Sequence, residues 1–140
     1  MNPDSVQDYV IKPGTCAAVA AAGAAYLYPG AYIPMGSYDV PVTALAFGSV
    51  YAGSCIAALF HDKVFPHIPK VGGLVNAPAT EAMAIASIAG TEVAILSLTN
   101  VEALGDIGLT SIVAQAAGAR ILGSYVADTW LKPWVETALE

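Results

Sequence analysis

The sequence predicts an all-α integral membrane protein, a four-helix bundle with both termini on the same, cytoplasmic, side. Hydrophobic residues make up 56% of the 140 residues and charged residues only 11%, whereas soluble domains carry about 25% charge. With a mean hydropathy of +0.63, a chain of this length cannot enclose so large an apolar share in a core surrounded by water. Four long runs rich in alanine and glycine alternate with segments rich in proline, tyrosine and charge.

The elements follow one another within a single membrane domain, residues 1–140. Residues 1–13 form a polar arm without the basic start of a cleavable signal peptide, so we expect the first apolar run to remain as an anchor. Pro13 and Gly14 end the arm, and Thr15 is the predicted N-cap of the first span. Pro133 stops the last span. The spans are predicted at residues 15–28, 42–60, 78–98 and 107–131, with a tail at 132–140.

The connections carry the side chains that membrane interfaces favour. Tyr28, Tyr32 and Tyr38 surround the first connection, and Trp130 and Trp134 mark the exit of the fourth span. Amphipathic rings of this kind concentrate at the depth of lipid headgroups. The apolar runs do not alternate and exceed the roughly 10 residues of a membrane strand, so no strands are expected.

The distribution of basic residues gives an independent test of four spans. Four spans place residues 1–13, 61–76 and 132–140 on one side of the membrane and residues 29–40 and 99–106 on the other. Lysines occur only on the first side; they are Lys12, Lys63, Lys70 and Lys132. Because basic residues are retained in cytoplasmic segments, both termini are predicted to be cytoplasmic. A three-span arrangement would not keep the lysines together on one side of the membrane.

Small residues spaced by four indicate close helix packing, because they let two backbones approach within a membrane. Such rows occur in three of the predicted spans. The predicted helix-packing residues are Ala82, Ala86, Gly90 and Ala94 in the third span and Gly118 and Gly123 in the fourth, and the second span has a comparable set, Ala44, Gly48, Ala52, Gly53 and Ala57.

Three charges lie within the predicted spans. Glu81 and Glu92 share one face of the third helix, because their separation is close to three full turns. Counted from the cytoplasmic ends, Glu92 lies about 20 Å deep and Arg120 about 16 Å deep. A lone charge at this depth costs about 3 kcal/mol or more. We therefore predict a structural intramembrane ion pair between Glu92 and Arg120, in preference to a proton or ion path built on the same residues.

Sequence motifs for chemistry are absent, so no enzymatic activity is predicted. The chain has no motif of a serine hydrolase, zinc protease, nucleotide-binding loop or dinucleotide fold. No cofactor or metal is predicted: His61, Asp62 and His67 are unevenly spaced in a loop, and Cys16 and Cys55 lie in apolar segments. The net charge of −6 excludes a nucleic-acid partner that is held electrostatically.

The overall layout resembles small multi-span proteins of the internal membrane of large icosahedral DNA viruses, some of which are minor capsid proteins. The resemblance rests on a polar arm with SVQDYVIKP, four spans rich in small residues, and a tail reading ILGSYVADTWLKPW, with SYVAD at residues 124–128. It implies that both termini and residues 61–76 face the capsid shell. It carries no functional residues over to this chain.

These observations favour a structural, non-enzymatic membrane protein that links a virion membrane to its capsid shell. The expected partners are the lipid bilayer and other subunits of a large assembly. One alternative is an accessory subunit of a respiratory or photosynthetic complex in an organelle membrane. Another is a small oligomeric channel or proton-coupled carrier that uses Glu92 and Arg120.

Overall fold

The protein is mostly helical, as predicted. The computed structural model describes residues 3–64 and 77–139, and 86% of this part of the chain is helical. Three described helices are long and apolar enough to cross a membrane, Asp4–Leu27, Val42–Lys63 and Glu81–Thr99. The fourth predicted span, residues 107–131, is helical but is not among them. His67 and Lys70, in the predicted loop 61–76, lie outside the described residues.

The first helix begins earlier than predicted and runs through the proline. α1 (Pro3–Val6), a π-helical turn (Gln7–Ile11) and α2 (Lys12–Leu27) form one continuous helix. The prediction of a break at Pro13 is wrong because the wider π turn that directly precedes the proline accommodates it within the continuous helix. Thr15 does not cap the helix; its hydroxyl donates to the carbonyl of Ile11 at 2.7 Å.

A second helix compensates for the missing N–H of Pro13. In a regular α-helix that N–H would bond the carbonyl four residues earlier, which belongs to Tyr9. Here the hydroxyl of Tyr51 donates to the Tyr9 carbonyl at 3.0 Å, and the thiol of Cys55 lies 3.7 Å from the same oxygen. The freed carbonyl is therefore satisfied by α3 (Val42–Leu59), which fixes the first helix against the second.

The last helix repeats this arrangement. α6 (Leu109–Val126) continues through a π-helical turn (Ala127–Leu131) into α7 (Lys132–Ala138). Pro133 was predicted to stop the helix, but it lies in the first turn of α7, directly after the wider turn. Residues 132–138 of the predicted tail are therefore helical. A Lys–Pro pair thus follows a π turn at each end of the chain.

The connection between the first two long helices contains the only two strands of the described residues. β1 (Tyr32–Met35) pairs antiparallel with β2 (Tyr38–Pro41), with Met35 opposite Tyr38. Gly36, at φ +63°, supplies the positive φ that a two-residue hairpin turn needs at its first central position. The expectation of no strands is wrong here, because a short hairpin needs no long alternating run.

The second and third long helices lie close to their predicted positions. α3 extends through a π-helical segment (Phe60–Val64). α4 (Ala77–Thr99) is followed directly by α5 (Val101–Ile107), so the predicted acidic connection is a short helix. Asn100 separates the two, and its side chain accepts a hydrogen bond from the N–H of Ala103 at 3.0 Å, as an N-cap residue does.

The four long helices contact one another in a closed order. α2 packs against α3 and α6, and α4 packs against the same two helices. The core between them is apolar, with Cys16, Ile88, Leu96 and Ile112 all at most 1% exposed. Asn100 donates to the carbonyl of Pro34 at 2.8 Å, so the two connections predicted to share one side meet at the same end of the helices.

Two glycines set the closest helix contacts. A Cβ atom placed on Gly53 would lie 2.5 Å from the Cα of Ile88, and one placed on Gly123 would lie 2.5 Å from the Cα of Cys16. No side chain fits at either position, so the absence of a Cβ lets α3 approach α4 and lets α6 approach α2. Gly123 is thus a helix-packing residue, as predicted.

Of the other predicted packing positions, Gly53 and Ala57 of α3 are buried, whereas Gly118 and the row in the third span face outward. Gly118 is exposed, and nothing lies within 4 Å of a Cβ placed there. The row predicted in the third span is also exposed; its members are Ala82, Ala86, Gly90 and Ala94. The buried row of α4 instead includes Ala84, Ile88 and Leu96, offset by two positions and hence by about 200°. The prediction is wrong because Ile88, and not a member of the alanine row, lies at the close contact with Gly53 of α3.

Two glycines of α6 provide a matched test of this packing. Gly123→Ala should lower the melting temperature in detergent, because its methyl group meets the backbone of Cys16 and overpacking costs about 1–3 kcal/mol. Gly118→Ala should raise it, because alanine is better than glycine within a helix by up to about 1 kcal/mol. Thermal unfolding followed by circular dichroism measures both, and shifts of the same sign would contradict the assigned helix face.

Candidate functional site

Arg120 is buried and pairs with Glu81. Its side chain is 8% exposed, and its Nε donates to Oε2 of Glu81 at 3.0 Å, joining α6 to α4. The predicted pair between Arg120 and Glu92 is therefore wrong in its acidic member. Both glutamates lie on one face of α4, as their spacing indicates. The prediction chose the wrong one because Glu81, and not Glu92, lies level with Arg120 along the helix axis.

The error in depth has a physical origin. The predicted depths of Glu92 and Arg120 were counted from the ends of the third and fourth helices. They are correct only if both helices end at one level and the fourth ends at Leu131. In fact the last helix continues to Ala138. The level of each helix is instead fixed by its close contacts, namely Gly123 on Cys16 and Gly53 on Ile88. These contacts bring Arg120 level with Glu81.

A second ion pair lies at the same end of the helices. Nζ of Lys12 is 3.0 Å from Oδ2 of Asp128, and the two side chains are 18% and 45% exposed. Nε2 of the buried Gln7 donates to Oδ1 of Asp128 and to the carbonyl of Ala127, each at 3.0 Å. These bonds attach the start of the first helix to the π turn of the last one, so the chain ends are held together.

A third contact joins the first helix to the end of α3. The hydroxyl of Tyr9 donates to Oδ2 of Asp62 at 2.8 Å, and Nδ1 of His61 lies 3.4 Å from Oδ1 of the same carboxylate. The segments predicted to share the lysine-rich side therefore do meet at one end within the described residues, which is the end opposite to the hairpin.

These side chains surround two adjoining cavities, which we call the charged cleft. The inner cavity has a volume of about 190 Å³ and reaches Ser54 and Arg120. The outer one has about 680 Å³ and is open at the end of the helices. Asp8, Lys12 and Asp62 line both cavities, so the cleft leads from the open end to the buried ion pair.

Two buried polar atoms in the walls of the cleft have no hydrogen-bond partner among the described residues. They are Oε1 of Gln7, whose side chain is 2% exposed, and Oγ of Ser54, which is 1% exposed. Buried polar atoms are nearly always satisfied. Their positions beside a cavity large enough for several waters or a small ligand mark the cleft as the candidate functional site.

Comparison with known protein families, curated proteins and solved structures found no match to this chain.

Glu92 lies apart from the charged cleft. It is half-buried on the inward-facing row of α4, one turn from Ile88 and one turn from Leu96. Its carboxylate has no hydrogen bond or ion pair with any described residue. It lies eleven residues, about 16 Å, along α4 from Glu81, so the two glutamates of α4 have different surroundings.

The described residues that were considered for metal binding do not assemble. Among the described residues, no group of three or more His, Cys, Asp and Glu side chains is placed to hold a metal ion. Cys16 and Cys55 are free thiols within helix contacts. Nδ1 of His61 lies 3.4 Å from Oδ1 of Asp62.

Sequence reasoning missed most residues of the cleft. Gln7, Asp8 and Lys12 were assigned to a polar arm outside the first span, although Asp8 and Lys12 are spaced by four, as residues on one helix face are. That spacing is the signal that could have placed them together. No pattern could have identified Ser54, which is one hydroxyl in a span of small residues.

The partner of Arg120 can be tested with three variants. Glu81→Leu should destabilise the protein by up to about 3 kcal/mol, because it leaves a buried guanidinium unpaired. Adding Arg120→Met should recover much of the loss. The isosteric change Glu81→Gln should also be costly, whereas Glu92→Gln should change the melting temperature little. A larger loss for Glu92→Gln than for Glu81→Gln would contradict the pairing.

Proposed function

We propose that the protein is a structural, non-enzymatic membrane protein whose four long helices each cross a bilayer. The outer surface supports this. Exposed rings lie near both ends: Tyr26, Tyr32 and Tyr38 at the hairpin end, and Trp130 and Trp134 at the end with the charged cleft. Between them the exposed large side chains are apolar; they include Phe47, Ile56, Val113, Ile121 and Leu122. This order of rings and apolar surface is typical of membrane proteins.

The polar side chains of α6 are compatible with a fourth span. Nε2 of Gln115 donates to Oγ of Ser111 at 2.8 Å and to the hydroxyl of Tyr28 at 3.3 Å, and Arg120 is paired with Glu81. These groups lower the hydropathy of the helix, yet they bond to the protein. A membrane tolerates polar residues that face other helices in this way.

A role within a larger assembly is supported by the outward-facing row of α4. Alanine and glycine at spacing four permit a close approach by another helix, and no described helix of this chain covers Ala82, Ala86, Gly90 or Ala94. The proposed setting is the internal membrane of a large icosahedral DNA virus, with both chain ends and the charged cleft directed at the capsid shell. That setting rests on the resemblance in layout alone.

The assembly role is tested by purifying the tagged protein in its native particle and measuring its co-purifying proteins by mass spectrometry. The pair of changes Ala86→Leu and Gly90→Leu should reduce recovery of the partners about tenfold, since both add bulk to the outward row. Ala114→Leu, at an exposed position on α6, is the matched control and should leave recovery unchanged. Equal recovery from both variants, or a protein washed off membranes at high pH without detergent, would contradict the proposal.

A second candidate function is proton-coupled transport or conduction by an oligomer. The carboxylate of Glu92, which has no partner among the residues that the structure describes, favours it, because ionisable residues inside membrane helices are commonly functional. Purified protein in sealed liposomes should then dissipate a pH gradient, and Glu92→Gln should reduce the rate about tenfold. Glu136→Gln, at an exposed position near the C-terminus, is the control. Absence of flux from correctly inserted wild-type protein would eliminate this candidate.

A further inference from the structure

We infer that the charged cleft is a binding site for an organic cation that carries N–H donors, a primary ammonium or a guanidinium group. The inference is independent of the assembly role, because it depends only on the cleft. Three observations carry it: the balance of charge in the lining, an unpaired carboxylate at the junction of the two cavities, and two buried oxygen atoms that lack a donor.

Among residues 3–64 and 77–139, the lining of the cleft is acidic overall. Five carboxylates of this part of the chain line the two cavities and three permanent cations oppose them; the acids are Asp4, Asp8, Asp62, Glu81 and Asp128, and the cations are Lys12, Arg120 and Lys132. His61 also lines the inner cavity. A concave surface with excess negative charge concentrates cations and repels anions, so phosphate and carboxylate ligands are disfavoured.

Asp8 is the carboxylate that remains available. Asp128 is bonded by Lys12 and Gln7, Asp62 accepts from the hydroxyl of Tyr9, and Glu81 accepts from Arg120. Asp8 has no hydrogen bond or ion pair with any described residue, and it lines both the inner and the outer cavity. A ligand that occupies the junction of the cavities therefore contacts this side chain.

The two unsatisfied oxygen atoms identify what the ligand must supply. Nε2 of Gln7 donates to two acceptors, so the other terminal atom of the amide is the oxygen Oε1. Oε1 can accept a hydrogen bond, but no described residue donates one to it. Oγ of Ser54 also lacks a partner, and a hydroxyl can accept a hydrogen bond. Two acceptors and a free carboxylate match a group that only donates, as ammonium and guanidinium do.

Size and geometry agree with a small organic ion better than with a metal ion. No group of three or more metal-binding side chains is placed to hold an ion among the described residues. The outer cavity, at about 680 Å³, lies within the range of small-molecule sites, roughly 300–1,000 Å³. The inner cavity of about 190 Å³ receives the head of the ligand beside Ser54.

The test measures binding of agmatine, which carries both an ammonium and a guanidinium group, to the purified protein in detergent by isothermal titration. A bis(trimethylammonium) alkane of similar length has the same charge without N–H donors and should bind at least about tenfold more weakly. Asp8→Asn should raise the Kd for agmatine about tenfold or more, and Ser54→Ala should raise it by a smaller factor. Asp39→Asn, at the hairpin end, is the matched control and should leave it unchanged.

Equal Kd values for agmatine in wild type and Asp8→Asn, or for agmatine and the quaternary ion in wild type, would overturn the inference. If Asp8→Asn fails to fold, Ser54→Ala replaces it in the test, because Ser54→Ala only removes an unsatisfied hydroxyl. An unchanged Kd for agmatine in Ser54→Ala would then overturn the inference.

Nanodiscs distinguish two sources of the cation. Weaker agmatine binding in phosphatidylethanolamine than in phosphatidylcholine identifies a lipid headgroup as the ligand, and equal binding identifies a free cation.

Discussion

The charge of Arg120 in the middle of a helix bundle is the constraint on which the polar half of this protein depends. A buried guanidinium needs a carboxylate and access to water, and here Glu81 supplies the first and the charged cleft supplies the second. The cleft in turn requires the first helix to extend to its N-terminal end, where Gln7 and Lys12 reach the last helix. Away from the cleft the core consists of apolar side chains such as Ile88, Leu96 and Ile112.

The helical class, the positions of the long helices and the grouping of their connections could be predicted, because each depends on composition and on the order of apolar runs. Lys12 and Asp128 meet, and Asn100 meets Pro34, as the distribution of lysines implies. Which glutamate meets Arg120 could not be predicted. That depends on how far one helix slides along another, and the slide is set by steric contacts at single residues such as Gly53 and Gly123.

The rows of small residues also did not identify which face of a helix is buried. In an alanine-rich chain, rows at spacing four occur on several faces of one helix, and spacing alone does not say which face is buried. α4 turns Ile88 and Leu96 inward and leaves Ala86 and Gly90 outside, and Ile88 lies at the close contact with Gly53 of α3. The buried face therefore depends on which residue of the neighbouring helix lies opposite, and the spacing within one helix does not contain that information.

The π turns before Pro13 and Pro133 have a geometric effect beyond accommodating proline. Each is equivalent to one extra residue in an α-helix, so the side chains on its two sides are rotated relative to each other by roughly 100°. Without that rotation the side chains of the termini would continue the inward- and outward-facing rows of the long helices. Deleting one residue from either turn would therefore swing an entire helix terminus around its axis, an effect that no single substitution at these positions reproduces.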